Sequence, residues 1–390
     1  MDFGLSEEQK MIVGTVRRFV TTELRPLEDE IATSGHLDPD KAKEIFKKSK
    51  ELGLYAMNMP EELGGGGLCA VDTMLVEEQF GHTSDILIRR AFGNVYEVML
   101  KCNEEQRKTW LLPSIQGERT GSIAITEAGA GSDAAGISTR AVKDGDGWKL
   151  SGQKCFVSDG LYSDYFIVSA VTDPDSKPKG ISLFLVDKNM PGVTVGRDQL
   201  MMGLVGSSHI ELFFDDVKLG REHLLGQEGM GLRHALETLG RVRLAQVGAR
   251  AIGKSTHILE LMTDYARDRR QFNKAIGEFQ LVQQMLADSV IELNAARLMV
   301  LNAAWEIDQG RDGRDQIAMV KVHAAETLGR IADRGVQVFG GMGFCRELPI
   351  ERLYRDARVY RIFDGTSEIH RTVIARSLLK RGKVLFDVPA

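Results

Sequence analysis

Thr126-Glu-Ala-Gly-Ala-Gly-Ser-Asp133 decides what kind of fold this chain can have. Gly129-Ala-Gly131 matches the start of a dinucleotide fingerprint, in which a strand runs into a glycine turn and then a helix. The third glycine is missing, because Ala134 occupies its place. The flanks do not alternate strand and helix either, so a doubly wound nucleotide fold is excluded. What remains is a loop rich in backbone N–H groups, hydroxyls and one carboxylate.

Downstream of the loop, residues 148–151, 165–171, 180–186 and 209–217 are rich in aromatic and β-branched side chains, the signature of strands. Asp144-Gly-Asp-Gly147, Asp173-Pro-Asp175 and Pro191-Gly192 separate them as turns. Upstream the period is helical. Ser6-Glu-Glu-Gln9 is a capping box, with Ile12, Val16, Phe19 and Val20 at helix spacing as far as Pro26. Further helices are expected over 40–52, around Met74, Leu75, Gln79 and Phe80, and over 104–112, with Pro113 as the stop. The Gly64–Gly67 run is a loop with no helix placed to receive phosphate.

From Gly231 the helix period returns. Val282, Leu286, Val290, Leu293, Ala296, Val300, Ala304 and Ile307 keep steps of three and four over about seven turns, and 249–269 and 316–338 behave alike. The fold class expected is α+β: an N-terminal α-helical domain (1–119), a middle antiparallel β domain (120–229) and a C-terminal helical bundle (230–390). A length of 390 residues requires such division.

The totals narrow the function. A net charge of −5 argues against nucleic-acid binding. No apolar run is long enough to span a bilayer, and Met1-Asp2-Phe3 does not open a targeting signal. Cys69, Cys102, Cys155 and Cys345 have no metal-ligand spacing and no disulfide density. No metal is expected, and the thiols suit a bacterial cytoplasm or a mitochondrial matrix.

Near the C-terminus, Arg358-Val-Tyr-Arg-Ile-Phe-Asp-Gly-Thr-Ser-Glu-Ile-His-Arg371 places an acid before a glycine at the mouth of a helix that runs to Lys380. Such an acid can face a pocket, with Thr366, Ser367 and Glu368 capping the helix or holding a polar ligand. Taken alone, it reads equally as an Asp-Gly turn with a solvated carboxylate.

Together these motifs resemble the acyl-CoA dehydrogenase family, almost from end to end. The resemblance rests on Pro60-Glu-Glu-Leu-Gly-Gly65, Thr126–Asp133, Leu150-Ser-Gly-Gln-Lys-Cys-Phe-Val-Ser-Asp-Gly160, Arg269-Arg-Gln-Phe272 with Phe279-Gln280, Gln337-Val-Phe-Gly-Gly341 and Asp364-Gly-Thr-Ser-Glu368, in that order. It implies an FAD enzyme that removes an α-proton and a β-hydride from an acyl-CoA thioester and passes electrons to an electron-transferring flavoprotein. It implies a homotetramer of fatty acid metabolism. Ile125, Thr126, Ser132, Phe156 and Ser158 match positions around the flavin, with Thr366 and Glu368. Arg269, Phe272, Gln280, Gln337 and Gly341 match residues that reach a neighbouring subunit's FAD. Ser132, Arg243, Phe363 and Gly365 match substrate contacts.

The resemblance also makes Asp364 the catalytic base, although the family usually carries Glu there. Other branches set the base on a bundle helix before an arginine, which leaves Glu237 as second choice. Phe156 stands for the usual Trp, Ser158 for Thr, Ala128 for Pro and Val205 for Arg. Asp85 falls near the position that grips a tail carboxylate in the glutaryl-CoA branch, so it is expected to shape the acyl tail, or else to cap a surface helix. The alternatives are an enoyl-CoA reductase of the crotonobetainyl-CoA type and a flavin- or CoA-binding protein without turnover.

Overall fold

The computed structural model describes residues 4–93, 95–176 and 180–387, so Met1–Phe3 lie outside it. The first part is helical. Ser6 caps the Glu7–Phe19 helix by accepting from the N–H of Gln9, whose side chain takes the N–H of Ser6 in return. Val13, Val16 and Phe19 bury its inner face. A π turn over Val20–Leu24 and a short 3-10 turn over Arg25–Leu27 end it at Pro26, where the N–H is missing. Asp38 starts the Pro39–Glu51 helix by accepting from Asp40 and Lys41.

Pro113 does not stop the third helical stretch. It sits in the first turn of the Leu112–Gln116 helix, where a missing N–H costs nothing, and Gly117 at φ +76° ends the run instead. The Asp85–Ala91 helix has no counterpart in the sequence reading. It is buried nearly all round, so it carries no amphipathic period.

The middle part is one sheet: β1 (Gly121–Ala124), β2 (Arg140–Asp144), β3 (Gly147–Ser158), β4 (Tyr165–Asp173), β5 (Gly180–Asp187), β6 (Val193–Asp198), β7 (His209–Leu219) and β8 (Leu224–Leu225). The strand order is β6-β7-β3-β2-β4-β5-β8. The pairing is antiparallel except at β4, where β1 joins in parallel from Gly121 opposite Tyr165 and β2 makes one parallel bridge. The expected strands are β3, β4, β5 and β7. β2 and β6 carry mostly exposed polar residues, so their sequence signal is weak. One face of the sheet buries Trp148, Leu150, Phe166, Phe184, Ile210 and Phe214. On the other, Tyr165, Ile167, Leu183 and Leu185 pack on Trp110, Leu111, Ile115 and Met99. Burial on both faces is why β4 and β5 read as continuous apolar runs rather than alternating ones.

The last part is a bundle of long helices, with Arg250–Asp268, Gln280–Asp308 and Arg314–Phe339 around a common core. The Ala70–Phe80 helix of the first part docks on it. Glu77 accepts from Arg250 Nε at 2.6 Å and from its terminal nitrogen at 3.1 Å, both side chains buried. Gly253 allows this approach: a Cβ there would lie 2.0 Å from the Glu78 carbonyl oxygen. The Gln280–Asp308 helix buries Leu293, Ala296, Val300 and Ala304 as its period predicts, whereas Val290 of the same expected stripe is exposed. It leaves a second apolar row, Ile291, Leu298 and Trp305, exposed at steps of seven. No described helix is long and apolar enough to cross a membrane.

Candidate active site

The site is built around the turn that joins the Ile350–Val359 helix to the Ser367–Arg381 helix. Asp364 has φ +53° and Gly365 φ +91°, two left-handed residues in succession. The first costs about 1–2 kcal/mol for a residue with a side chain, though Asp tolerates it better than most. Three groups hold the backbone there. Arg243 Nε donates to the Asp364 carbonyl oxygen at 2.6 Å. His370 Nε2 faces the same oxygen at 3.2 Å. Thr366 Oγ1 accepts from Ile369 N at 3.2 Å and starts the next helix. Gly365 has no alternative, because a Cβ would meet His370 Nε2 at 2.9 Å.

Burial pushes the Asp364 carboxyl above the usual range, and Arg243 and Lys321 offset this only in part. Lys321 is itself fully buried with no hydrogen bond to Nζ among the described residues, and burial takes it down to about 8. Burial likewise holds His370 down at about 4, neutral at physiological pH. Since it faces a carbonyl, its Nε2 carries the proton. A half-desolvated carboxylate beside two cations suits proton transfer.

A cleft opens between the Ala70–Phe80 helix, residues 92, 93 and 95–97, and residues 241, 242 and 244–246. Val242 and Leu244 of its wall flank Arg243 in the chain, but neither Arg243 nor a residue of the Asp364 turn lines it. Tyr96 is in its wall too, and the Asp364 charge helps to raise its phenol, after burial. Met74, Phe92, Val95, Ala245 and Ile307 make the rest largely apolar. Its two acids are paired within the protein, Glu77 with Arg250 and Glu97 with Arg241 at 3.6 Å.

The sheet contributes a second group. A register shift in the β3–β7 ladder between Lys154 and Val157 turns Phe156 outward at φ +56°, and 51% of its surface is exposed. It is therefore no core residue; the bulge presents its ring. The N–H of Cys155 donates to the Thr126 carbonyl at 2.9 Å, which fixes the 126–133 loop beside Phe156 and Ser158. Lys154, fully buried, clamps that loop by donating to the Ile125 carbonyl at 3.0 Å and to Glu127 at 2.8 Å. Glu127 also takes the N–H groups of Ser138 and Thr139, and these donors hold its carboxyl down at about 2 against burial. Ser132 is exposed at the loop tip.

A third group lies at the helix ends of the bundle. Tyr265 stacks on Phe339 with centroids 4.2 Å apart, which brings the end of the Arg250–Asp268 helix, with Arg269, beside the end of the Arg314–Phe339 helix, with Gln337 and Gly341. Arg269, Phe272, Gln280, Gln337 and Gly341 are all exposed. Phe272 is held at φ +51° with 87% of its surface bare. Such a positive φ is uncommon for an aromatic residue.

The three parts of the chain match three family models: residues 6–118 the acyl-CoA dehydrogenase N-terminal domain, 122–217 the middle domain and 229–379 the C-terminal domain. This chain belongs to the acyl-CoA dehydrogenase family. Family membership makes it an oxidoreductase acting on CH–CH bonds with FAD as cofactor. It is 36% identical to acryloyl-CoA reductase (NADH) of Anaerotignum propionicum over 389 residues, covering 98% of this chain and 97% of that one. It is 35% identical over 387 residues to CarC of Acetobacterium woodii, a caffeyl-CoA reductase–Etf complex subunit, covering 96% and 99%. The solved structure of butyryl-CoA dehydrogenase from Megasphaera elsdenii superposes with a TM-score of 0.90 at 31% identity, covering 97% of this chain and all of that one. The residues present fit a flavin: an outward aromatic ring, a hydroxyl at Ser158 on the same strand, and a clamped loop of N–H donors.

Two expectations change. Asp85 is neither a surface cap nor in the cleft wall. It is buried at the start of the Asp85–Ala91 helix with Lys254 Nζ 3.9 Å away. Burial would raise its carboxyl, but Lys254, Arg250 and Arg89 outweigh this and hold it low. Its charge is met inside the protein by these cations. Glu237 is exposed and paired with Arg233 at 3.0 Å, away from the Asp364 turn. Arg243 has the backbone of Asp364 as its partner, and Phe363 packs edge-on against Tyr360 at 5.1 Å.

Sequence reasoning missed Lys321, Tyr96, Lys154 and the Glu97–Arg241 pair. The signal for Lys321 was a lysine on the apolar side of a helix period, three residues from Ala318 and Ala324.

Proposed function

We propose that this acyl-CoA dehydrogenase family member interconverts a compact, uncharged acyl-CoA and its 2-enoyl-CoA, with Asp364 moving the α-proton. The observation that carries the reading is a carboxylate with raised proton affinity on a left-handed turn whose backbone Arg243 and His370 hold in place. Ile125, Thr126, Ser132, Phe156, Ser158, Thr366 and Glu368 hold FAD in one subunit, and Arg269, Phe272, Gln280, Gln337 and Gly341 reach it from a neighbour. When bound, FAD supplies the two-electron acceptor for the β-hydride. Asp364 takes the α-proton in the oxidising direction and returns it in the reducing one. The N–H of Asp364 polarises the thioester carbonyl, fixed by Arg243 behind it. A charged tail has no free counter-charge in the cleft, because Glu77 is paired with Arg250, and Glu97 with Arg241, the one arginine of the wall.

The exposed Ile291, Leu298 and Trp305 row supports assembly, which we place at a tetramer. An electron-transferring flavoprotein is the proposed electron partner in the cytoplasm, as CarC belongs to a complex with one. Reduction of an enoyl-CoA is the second reading, favoured by two relatives named as reductases. Anaerobic titration of the purified protein with a panel of acyl-CoAs, and of its reduced form with enoyl-CoAs, tests the reading. Short uncharged acyl-CoAs should bleach the flavin and dicarboxylic ones should not. A panel without any flavin response removes it.

Arg269→Ala should lower FAD content per subunit while far-UV circular dichroism stays unchanged, because Arg269 is exposed in its own subunit. Full FAD retention in that variant takes Arg269 out of the cofactor site.

A further inference from the structure

His82, His257 and Glu260 meet where the end of the Ala70–Phe80 helix reaches the Arg250–Asp268 helix. His257 and Glu260 lie one turn apart on the Arg250–Asp268 helix, and His82 follows directly on the Ala70–Phe80 helix. His82 Nδ1 is 3.9 Å and His257 Nδ1 3.7 Å from the same Glu260 oxygen, and all the ligating atoms lie within 4.8 Å of one another. These distances exceed a hydrogen bond. His257 is buried, and its Nδ1 has no hydrogen-bond partner among the described residues. A buried imidazole nitrogen aimed at a carboxylate it does not reach costs about 1–3 kcal/mol unless something stands between them.

We propose that these three side chains bind one divalent transition-metal ion of the zinc type. Two imidazoles and a carboxylate are the donor set such ions prefer. Ligands about 2.0–2.2 Å from zinc lie roughly 3.4 Å from one another in a tetrahedron, against 3.9 and 3.7 Å to Glu260 and up to 4.8 Å across the set here. The half-exposed Glu260 side chain and the partly exposed His82 ring close in on binding, and water completes the shell from the solvent side. Arg17 and Arg25 are near enough for their charges to act on His82. Two arginines in range and two nitrogen donors disfavour a hard cation such as calcium or magnesium, which is bound by oxygen ligands. They leave an ion that bonds to neutral imidazole. Bound there, it pins the Ala70–Phe80 helix to the Arg250–Asp268 helix beside the Glu77–Arg250 pair, independently of the acyl-CoA reading.

The test uses the untagged, full-length, flavin-loaded protein after chelator treatment. Zinc is titrated by calorimetry, and cobalt by its visible d–d absorption. Saturable binding of one ion per chain is expected, with a tetrahedral or five-coordinate cobalt spectrum. Loss of a ligand should weaken it by about 100-fold or more, both in His82→Gln and in Glu260→Gln, which alters an exposed side chain and leaves folding intact. Zinc should also raise the thermal midpoint of the parent and not of Glu260→Gln. Absence of saturable binding, or equal binding by the parent and both variants, overturns the proposal.

Discussion

Asp364→Asn is expected to keep FAD and bind acyl-CoA yet lose flavin reduction by about 10²–10⁴-fold or more, because an amide accepts no proton at neutral pH. The turn should survive. Asn tolerates left-handed backbone as well as Asp does, and Arg243 and His370 both engage the backbone oxygen rather than the carboxyl. Asp364→Glu separates reach from chemistry. It restores the family's usual acid but extends it by about 1 Å, which costs on the order of 100-fold when a reacting group is misplaced. Glu also loses the advantage of Asp at φ +53°. Its rate should therefore fall on the native substrate. A Glu variant that matches the parent on straight-chain acyl-CoAs would mean that the site is not tuned to the shorter side chain. Substantial reduction by the Asn variant, measured by anaerobic stopped flow, would remove Asp364 as the base.

How far these conclusions were legible in the sequence depends on which forces set each feature. The Ser6–Gln9 cap, the β4 and β5 runs and the Gln280–Asp308 stripe were legible because local periodicity and burial agree there. The Asp85–Ala91 helix was not, since burial on all sides erases the period. For the same reason Asp85 looked available to a ligand, when Lys254 and Arg250, about 170 residues away in sequence, neutralise it. The acid before Gly365 was legible as a residue, but its environment was not. Lys321 and Arg243 come from separate helical segments, and only packing brings their charges to it. The set of His82, His257 and Glu260 was invisible as well, because no short ligand spacing announces residues that tertiary contact assembles.

Arg243→Met is expected to slow flavin reduction by about 100-fold and to move the acid limb of its pH profile upward, for two separable reasons. The first is geometric. Arg243 supplies the 2.6 Å hydrogen bond to the Asp364 carbonyl, and the remaining contact, His370 at 3.2 Å, comes from a neutral imidazole. Hydrogen bonds from a charged donor are worth about 1.5–3 kcal/mol, similar to the strain of a left-handed residue. Without it the turn is free to relax and carry the carboxylate off its line. The second is electrostatic. Burial raises the Asp364 carboxyl and Arg243 opposes this, so removing the cation raises it further. The ionised base is then lost at a higher pH as acidity increases, and the limb moves up. Lys321→Met tests the second effect without the first: Lys321 opposes the same shift but makes no hydrogen bond to the turn. It should move the limb in the same direction while leaving the plateau rate at high pH close to that of the parent. An acid limb that stays in place in both variants would show that Asp364 does not set it.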